Sequence, residues 1–508
     1  MVEYKMSLLV TLFLAVVCLA FSIRFEQEIN LFDQLDTWEP QIITSGDTVL
    51  VTATNVGGIR ACLDCGADPI IYKRSTDNGK TFESNEYIYS GELTWFADSV
   101  VAKDKEGNMY ITYIGFEKYN PWNILFQKSF DNGETWSDPV VSSCGVSADK
   151  NWIGVDQNDN NNIYVTFNSQ FPYASTSTDN GETWNGPVRM DIQEGSYFYA
   201  GGVAVRSTGE VFYAYVAPPM GNDTQDEVQS YGNYGYYQDD AYTVFNQTNS
   251  NFTYARVYSS IDQGLHFKKY NISTWKDNQK CPAWAECNDD FFTGSCQLTI
   301  SKDDDVYYIY NGDDNSTDTV ETRVMLTILG ADDTKFSEPV DVSDAPLNAN
   351  VYHVSVMIAS NPSAASDIRI AWMDNRTSAW NVYYRESKDG GETFSDSVKL
   401  STMNEYSYQS EDGFQFPYGD YASLTVDENG LSKIVWGEGL GWYAGGSVYY
   451  AAQKRSDTSS SQLPGYAIAL IVIAVLVFVG FLFMFYRMKS SDPSRNLLGS
   501  GKHSDSAL

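Results

Sequence analysis

An eight-residue phrase repeated five times, alternating strands between the copies, and an N-terminal segment that matches a repeat's last strand predict an all-β chain of radially arranged modules. That architecture is a β-propeller. The copies run Ser75 to Phe82, Ser129 to Trp136, Ser177 to Trp184, Ser260 to Phe267 and Ser387 to Phe394. Each has the order Ser, any residue, Asp, any residue, Gly, two further residues, aromatic, which is the chemistry of a hairpin turn. The Asp is expected to accept backbone N–H bonds two or three residues on, and the Gly to supply a positive φ that a side chain would oppose. The closing Trp or Phe is expected to pack in the sheet.

The stretches Asn108 to Tyr113, Asn162 to Phe167, Glu210 to Tyr215 and Asp367 to Trp372 alternate apolar and polar residues and read as second strands of their modules. The phrase aspartates stand at 77, 131, 179, 262 and 389, and the long last interval holds a worn copy, Gly330 to Pro339, which keeps the aromatic at Phe336 and the trailing Ser-Glu-Pro. A seventh module ends at Gly446 to Ala451 with no phrase after it. Its missing outer strand is supplied by Arg24 to Leu31, which matches Phe394 to Leu400, the strand that follows an intact copy. Sharing one blade between the two ends would protect both sheet edges. Seven blades over 24–455 are expected.

The ends of the chain have a different character. Lys5 and the apolar run Ser7 to Phe21 read as a signal peptide cleaved after Ser22. Gly465 to Tyr486 is uncharged and apolar, long enough for a membrane-spanning helix, and Arg487 and Lys489 follow it. With a linker over 456–464 and a cytoplasmic tail over 487–508, this is a type I single-pass protein of the cell surface or an endomembrane. Six sequons, at Asn222, Asn246, Asn251, Asn271, Asn315 and Asn375, lie in the lumenal body. Six cysteines remain there, Cys62, Cys65, Cys144, Cys281, Cys287 and Cys296, and in an oxidising compartment they are candidates for disulfides. A formal net charge of −33 excludes nucleic acid as a partner, because phosphates demand a basic surface.

In such a fold the repeated turns join strands three and four on one face, so the other loops emerge on the opposite face. There the chain spends its extra residues, in Pro218 to Asn251 and Cys281 to Cys296. Ligands of propellers bind at the channel mouth. Residues that start innermost strands are Asp98, Asp149, Lys150, Trp152, Tyr197, Tyr199, His353, Asp420 and Tyr421; those that cap second strands are Arg60, Arg376 and Glu438. Aromatic rings beside carboxylates and an Arg suit a carbohydrate, so Arg376, Asp149, Trp152, Asp420 and Tyr199 are the expected ligand contacts. Only His266 and His353 lie outside the tail. Histidine-based triads and zinc sites are therefore not expected, nor is any other metal or cofactor, and chemistry, if any, falls to carboxylates or tyrosine.

The repeated phrase resembles the Asp-box (BNR) repeat of sialidases and other Asp-box propellers. Six blades, the sialidase number, is the alternative this resemblance adds. Tyr421 to Leu424 followed by Ile434 to Glu438 is similar to the sialidase strand that carries a tyrosine nucleophile and a later glutamate. The resemblance implies Tyr421, Glu438 and Asp98 as catalytic candidates and Arg376 as one clamp on a substrate carboxylate. It departs at the first blade, where Glu39 to Ile43 stands in place of the sialidase Arg-Ile-Pro. The expectation is a membrane glycoprotein whose propeller binds a glycan or glycoprotein, with an exo-α-sialidase as the alternative and a sortilin-like sorting receptor as the second.

Overall fold

The computed structural model describes residues 23–32, 36–56, 69–88, 95–116, 122–144, 148–169, 171–191, 199–217, 252–276, 295–312, 322–347, 351–441 and 445–455. One compact unit spans Ile23–Lys454. Its described residues form seven blades, each an antiparallel sheet; in the first six the strands run outward from the channel in chain order, and in the seventh the outermost strand comes from the start of the chain. Their innermost strands are Thr37–Ser45, Trp95–Lys103, Asp149–Val155, Tyr199–Val205, Cys296–Ile300, His353–Ser360 and Ser423–Val426. Seven blades are observed, and the six-blade alternative falls. The expected signal peptide, linker, membrane span and tail lie outside the described residues; among the described residues no helix is long and apolar enough to cross a membrane.

Closure follows the expected route. Ile29–Asn30 pairs antiparallel with Gly445–Ala452, Ile29 opposite Tyr450 and Asn30 opposite Tyr449. Phe25 bridges Gln453, and Leu31 N donates to Val448 O at 2.9 Å. The first strand of the chain thus completes the last blade.

The apolar core is divided among the seams between blades. Leu50, Ile70 and Tyr72 of blade 1 pack with Phe96, Ile111 and Tyr113 of blade 2, and Tyr164 and Ala174 of blade 3 pack with Val211 and Tyr213 of blade 4. Central strands such as Val211–Ala217 are buried on both sides because each blade is sandwiched by two others. A fully buried side chain of this size stabilises the fold by roughly 1.5–3 kcal/mol.

The repeated turns show why their phrase is fixed. Ser75 Oγ donates to Asp77 Oδ1 at 2.8 Å and accepts Gly79 N at 2.9 Å; Asp77 Oδ1 accepts Lys80 N and Thr81 N at 3.0 and 2.9 Å. The acceptor bonds therefore reach three and four residues on, one further than expected, because Asn78 and Gly79 both adopt positive φ, 64° and 83°. These bonds, that from the Thr81 hydroxyl foremost, hold the Asp77 carboxyl down at about 2. In the first three copies the closing aromatic leaves its own sheet. Phe82 meets Tyr450 of blade 7 edge-on at 5.0 Å, Trp136 meets Tyr72 of blade 1, and Trp184 meets Phe126 of blade 2. The worn copy keeps this role, with Phe336 against Tyr270 of blade 4 at 5.2 Å. These four turns wedge their blades onto the neighbouring one, whereas Phe267 meets Tyr213 of its own blade 4 at 5.7 Å.

Candidate functional site

The innermost strands do not run straight. Those of blades 1, 2, 3, 4 and 6 carry a bulge near the end opposite the repeated turns, between Trp38 and Gln41, Ala97 and Val100, Asp149 and Trp152, Ala200 and Gly202, and Val354 and Met357. Within these bulges Glu39, Asp98, Lys150 and Ser355 hold φ of 53°, 53°, 51° and 50°. A non-glycine residue in this region costs on the order of 1–3 kcal/mol, and such strain clusters where side chains are re-aimed for a purpose. Three consecutive blades thus turn Glu39, Asp98 and Lys150 toward one place.

Hydrogen bonds tie these bulges together. The Thr54 hydroxyl donates to Glu39 Oε2 at 3.2 Å and accepts Asp98 N at 3.1 Å, Ser99 Oγ donates to Thr52 Oγ1 at 2.9 Å, and Asn151 Nδ2 donates to Asp98 O at 2.7 Å. Lys150 Nζ pairs with Asp420 and stands 3.6 Å from Asp98 Oδ2, while Lys150 N donates to Asp149 Oδ1 at 2.8 Å. Gly419, at φ +102°, lets the chain pass close to the Glu39 backbone and delivers Asp420; an added Cβ would lie 2.7 Å from Glu39 N. Gln297 of blade 5 donates to Ala422 O at 2.9 Å and fixes the segment that carries Tyr421. The Tyr421 and Trp152 rings meet at 5.8 Å, tilted by 58°.

Electrostatics follow from burial in a ring of carboxylates. Burial pushes the Glu39 carboxyl well above its ordinary value, and nearby Asp98 adds to the rise. The Lys150 ammonium is disfavoured by burial, yet Asp98, Asp149 and Glu39 outweigh that cost and raise its pKa, with Tyr199 contributing from the same neighbourhood. Burial raises the Tyr421 phenol too, with Asp98, Glu39 and Asp149 behind it. The Tyr421 hydroxyl, Asn151 Oδ1 and Asp98 Oδ2 are buried and make no hydrogen bond among the described residues.

The structure therefore brings together Asp98, Asp149, Trp152, Tyr199, Asp420 and Tyr421 from the sequence-derived set. Glu438 and Arg376 stand in other clusters. Glu438 accepts Trp436 Nε1 at 2.7 Å and Gln409 Nε2 at 2.6 Å in the seam of blades 6 and 7, and burial lifts it to about 7 despite those donors. Arg376 binds Asp374 through Nη2 at 2.6 Å and Asp344 through Nη1 at 2.7 Å, and lies over the Tyr383 ring at 3.9 Å. Its guanidinium is engaged by the protein's own carboxylates. His353, wholly buried, directs Nδ1 at Thr322 O, and burial lowers it to about 4.

Glu39 is the residue that sequence reasoning passed over as a contributor. Its signal was positional, since it occupies in the first inner strand the place that Asp98 occupies in the second. Among the described residues Cys144 and Cys296 carry free thiols, Cys296 buried against Tyr199 O and the Gly201 backbone. Asn271 is exposed on the outer strand of blade 4, and Asn375 Oδ1 accepts Tyr352 N at 2.8 Å. Arg60, Tyr197, Cys62, Cys65, Cys281, Cys287, Asn222, Asn246, Asn251 and Asn315 lie outside the described residues, as does the Pro218 to Asn251 insertion.

No family model matches this chain, and no curated protein does. Among solved structures, the BP39L lectin of Burkholderia pseudomallei is similar over 83% of this chain and 97% of its own, at 10% identity and a TM-score of 0.47. An ulvan lyase of polysaccharide lyase family PL25 covers 84% and 95%, at 11% identity and TM-score 0.45. A Trypanosoma rangeli sialidase in complex with the inhibitor DANA covers 85% of this chain and 59% of its own, at 11% identity and TM-score 0.42. The architecture rests on the seven described sheets themselves: this chain is an all-β, seven-bladed propeller.

Proposed function

We propose that the channel mouth is a glycan-binding site, displayed by a type I single-pass membrane glycoprotein. The observation that carries the reading is the Trp152 and Tyr421 pair set among Asp98, Asp149 and Asp420. A sugar ring offers what these groups want. Its C–H face stacks on an aromatic ring, and its hydroxyls donate to carboxylates. The anchoring part of the proposal rests on the apolar run Gly465 to Tyr486. Binding of the full-length protein to a glycan array, compared with Trp152→Ala, tests the site. Loss of every glycan signal in Trp152→Ala is expected, and unchanged signals would refute the assignment.

A second reading, glycoside hydrolysis with Tyr421 as nucleophile, draws on the same cluster. Tyr421 feels the charges of Asp98 and Glu39, so a base and an acid stand near the phenol. Against it, burial raises that phenol, and Arg376, the candidate guanidinium among the described residues, is held elsewhere. Turnover of fluorogenic sialosides or other glycosides by wild type, abolished in Tyr421→Phe, would favour the enzyme.

A further inference from the structure

We infer that Asn271 carries an N-linked glycan that caps the free edge of blade 4 and keeps two copies of the chain from pairing there. The inference rests on the reading of the chain as a membrane glycoprotein and gives one of its sequons a task. The first ground is the length of the edge. The outermost strand of blade 4, Lys268–Lys276, runs for nine residues and pairs with Phe252–Ser260 along its whole length, whereas the outermost strands of the other blades have two to five. Among the described residues no strand pairs with its other side. A long edge of this kind offers a row of backbone N–H and C=O groups to a second chain, and proteins keep such edges short or block them.

The second ground is the sequence along that edge. Lysines guard its two ends, at Lys268, Lys269 and Lys276, but Tyr270 to Trp275 has no charge, no Gly and no Pro and is rich in aromatic and β-branched residues, the composition that pairs most readily with its own kind. The next longest outer strand, Asn185–Arg189, is interrupted by Pro187, which has no N–H to give. In blade 4 the middle of the uncharged stretch holds the sequon Asn271-Ile272-Ser273 instead. Its geometry suits the attachment. Tyr270 and Ile272 pack into the seam with blade 5, while Asn271 is exposed, and the strand bulges here, with Asn271 opposite Arg256 and Ser273 opposite Ala255. A bulky, hydrated glycan on Asn271 leaves that seam undisturbed and occupies the space a second strand needs. The other described sequon, at Asn375, lies in the connection between Ile368–Asp374 and Asn381–Ser387 and on no edge.

The test uses the full-length protein made in the secretory pathway of a eukaryotic host and purified in detergent. Enzymatic release of N-glycans in heavy-oxygen water, followed by peptide mapping, should convert Asn271 to labelled Asp in most molecules. Glycans on other sequons with Asn271 bare would overturn the inference and leave the glycoprotein reading intact. No glycan on any sequon would overturn that reading and the inference with it. Asn271→Gln and Ser273→Ala each remove the sequon, and each is expected to tighten self-association at least about tenfold in sedimentation, with new hydrogen-exchange protection at Tyr270 to Trp275. Unchanged self-association in both variants, or association that leaves exchange at Tyr270 to Trp275 unaltered, would refute the capping role. Occupancy is read on wild type, so a variant that fails to fold does not spare the inference.

Discussion

Replacing Glu438 by Gln is expected to flatten part of the pH dependence of stability. The carboxyl is fully buried, its two oxygens receive N–H bonds from Trp436 and Gln409, and burial still raises it from an ordinary 4.5 to about 7. A raised acid keeps its proton in the folded protein at pH values where the unfolded chain has lost it. The neutral Glu438 therefore contributes stability that is fully present below pH 4.5 and is lost as pH rises through about 7. At about 1.4 kcal/mol for each tenfold change in proton activity, the whole effect is about 3 kcal/mol. Urea unfolding of wild type and Glu438→Gln, followed by tryptophan fluorescence from pH 4 to 8, reads it as a difference of differences, in which other buried groups such as Glu39 cancel. The variant should gain on wild type by about 3 kcal/mol across that range. A gap between the two proteins that stays constant from pH 4 to 8 would show that Glu438 titrates normally and that its burial is relieved in solution.

Other outcomes are as specific. Deleting Arg24 to Leu31 unpairs Gly445–Ala452 and should lower the melting temperature sharply; a truncated protein that melts with wild type would refute closure by the shared blade. Gly181→Ala places a methyl group within the ring of Phe126 at a φ of +79°, so a loss of roughly 2–4 kcal/mol in urea unfolding is expected, and a loss under about 0.5 kcal/mol would contradict the wedge geometry. Alkylation of native protein followed by peptide mapping should label exposed Cys144 and spare buried Cys296 until denaturant is added; a disulfide at either residue would contradict the free thiols. Asp389, held at about 2 chiefly by the Thr393 hydroxyl, should stabilise its turn above pH 3.8 and lose that effect as pH falls through about 2, so Asp389→Asn should differ from wild type at pH 6 far more than at pH 2.

The repeat turns, the alternating strands and the shared last blade were legible because each is written in consecutive residues: a Ser, an Asp and a Gly within five positions dictate their own hydrogen bonds. Even there the detail slipped by one residue, since paired positive φ at Asn78 and Gly79 extends the reach of Asp77 to Thr81. The site was legible only as a set of strand starts. Lys150 and Asp420 are 270 positions apart, and nothing local to either announces the other. The bulges that aim Glu39 and Asp98 leave no compositional mark, and the capture of Arg376 by Asp344 depends on a loop from the preceding blade. Those facts belong to the radial arrangement, in which neighbours across the channel are strangers in sequence.

Tyr450 meets both ends of the ring: Ile29 is its strand partner, and Phe82 of the first repeat turn rests on its ring. During synthesis the earliest residues of the propeller consequently have nowhere to settle until the last blade has left the ribosome. Blades 2, 3 and 5 can lean on their predecessors as they emerge, since their wedge aromatics point backward along the chain. The first blade must wait. Assembly of this ring is thus a vectorial process with a single late locking step, and a nascent chain arrested before Tyr450 would present an open seam, the state in which chaperone engagement or aggregation is decided.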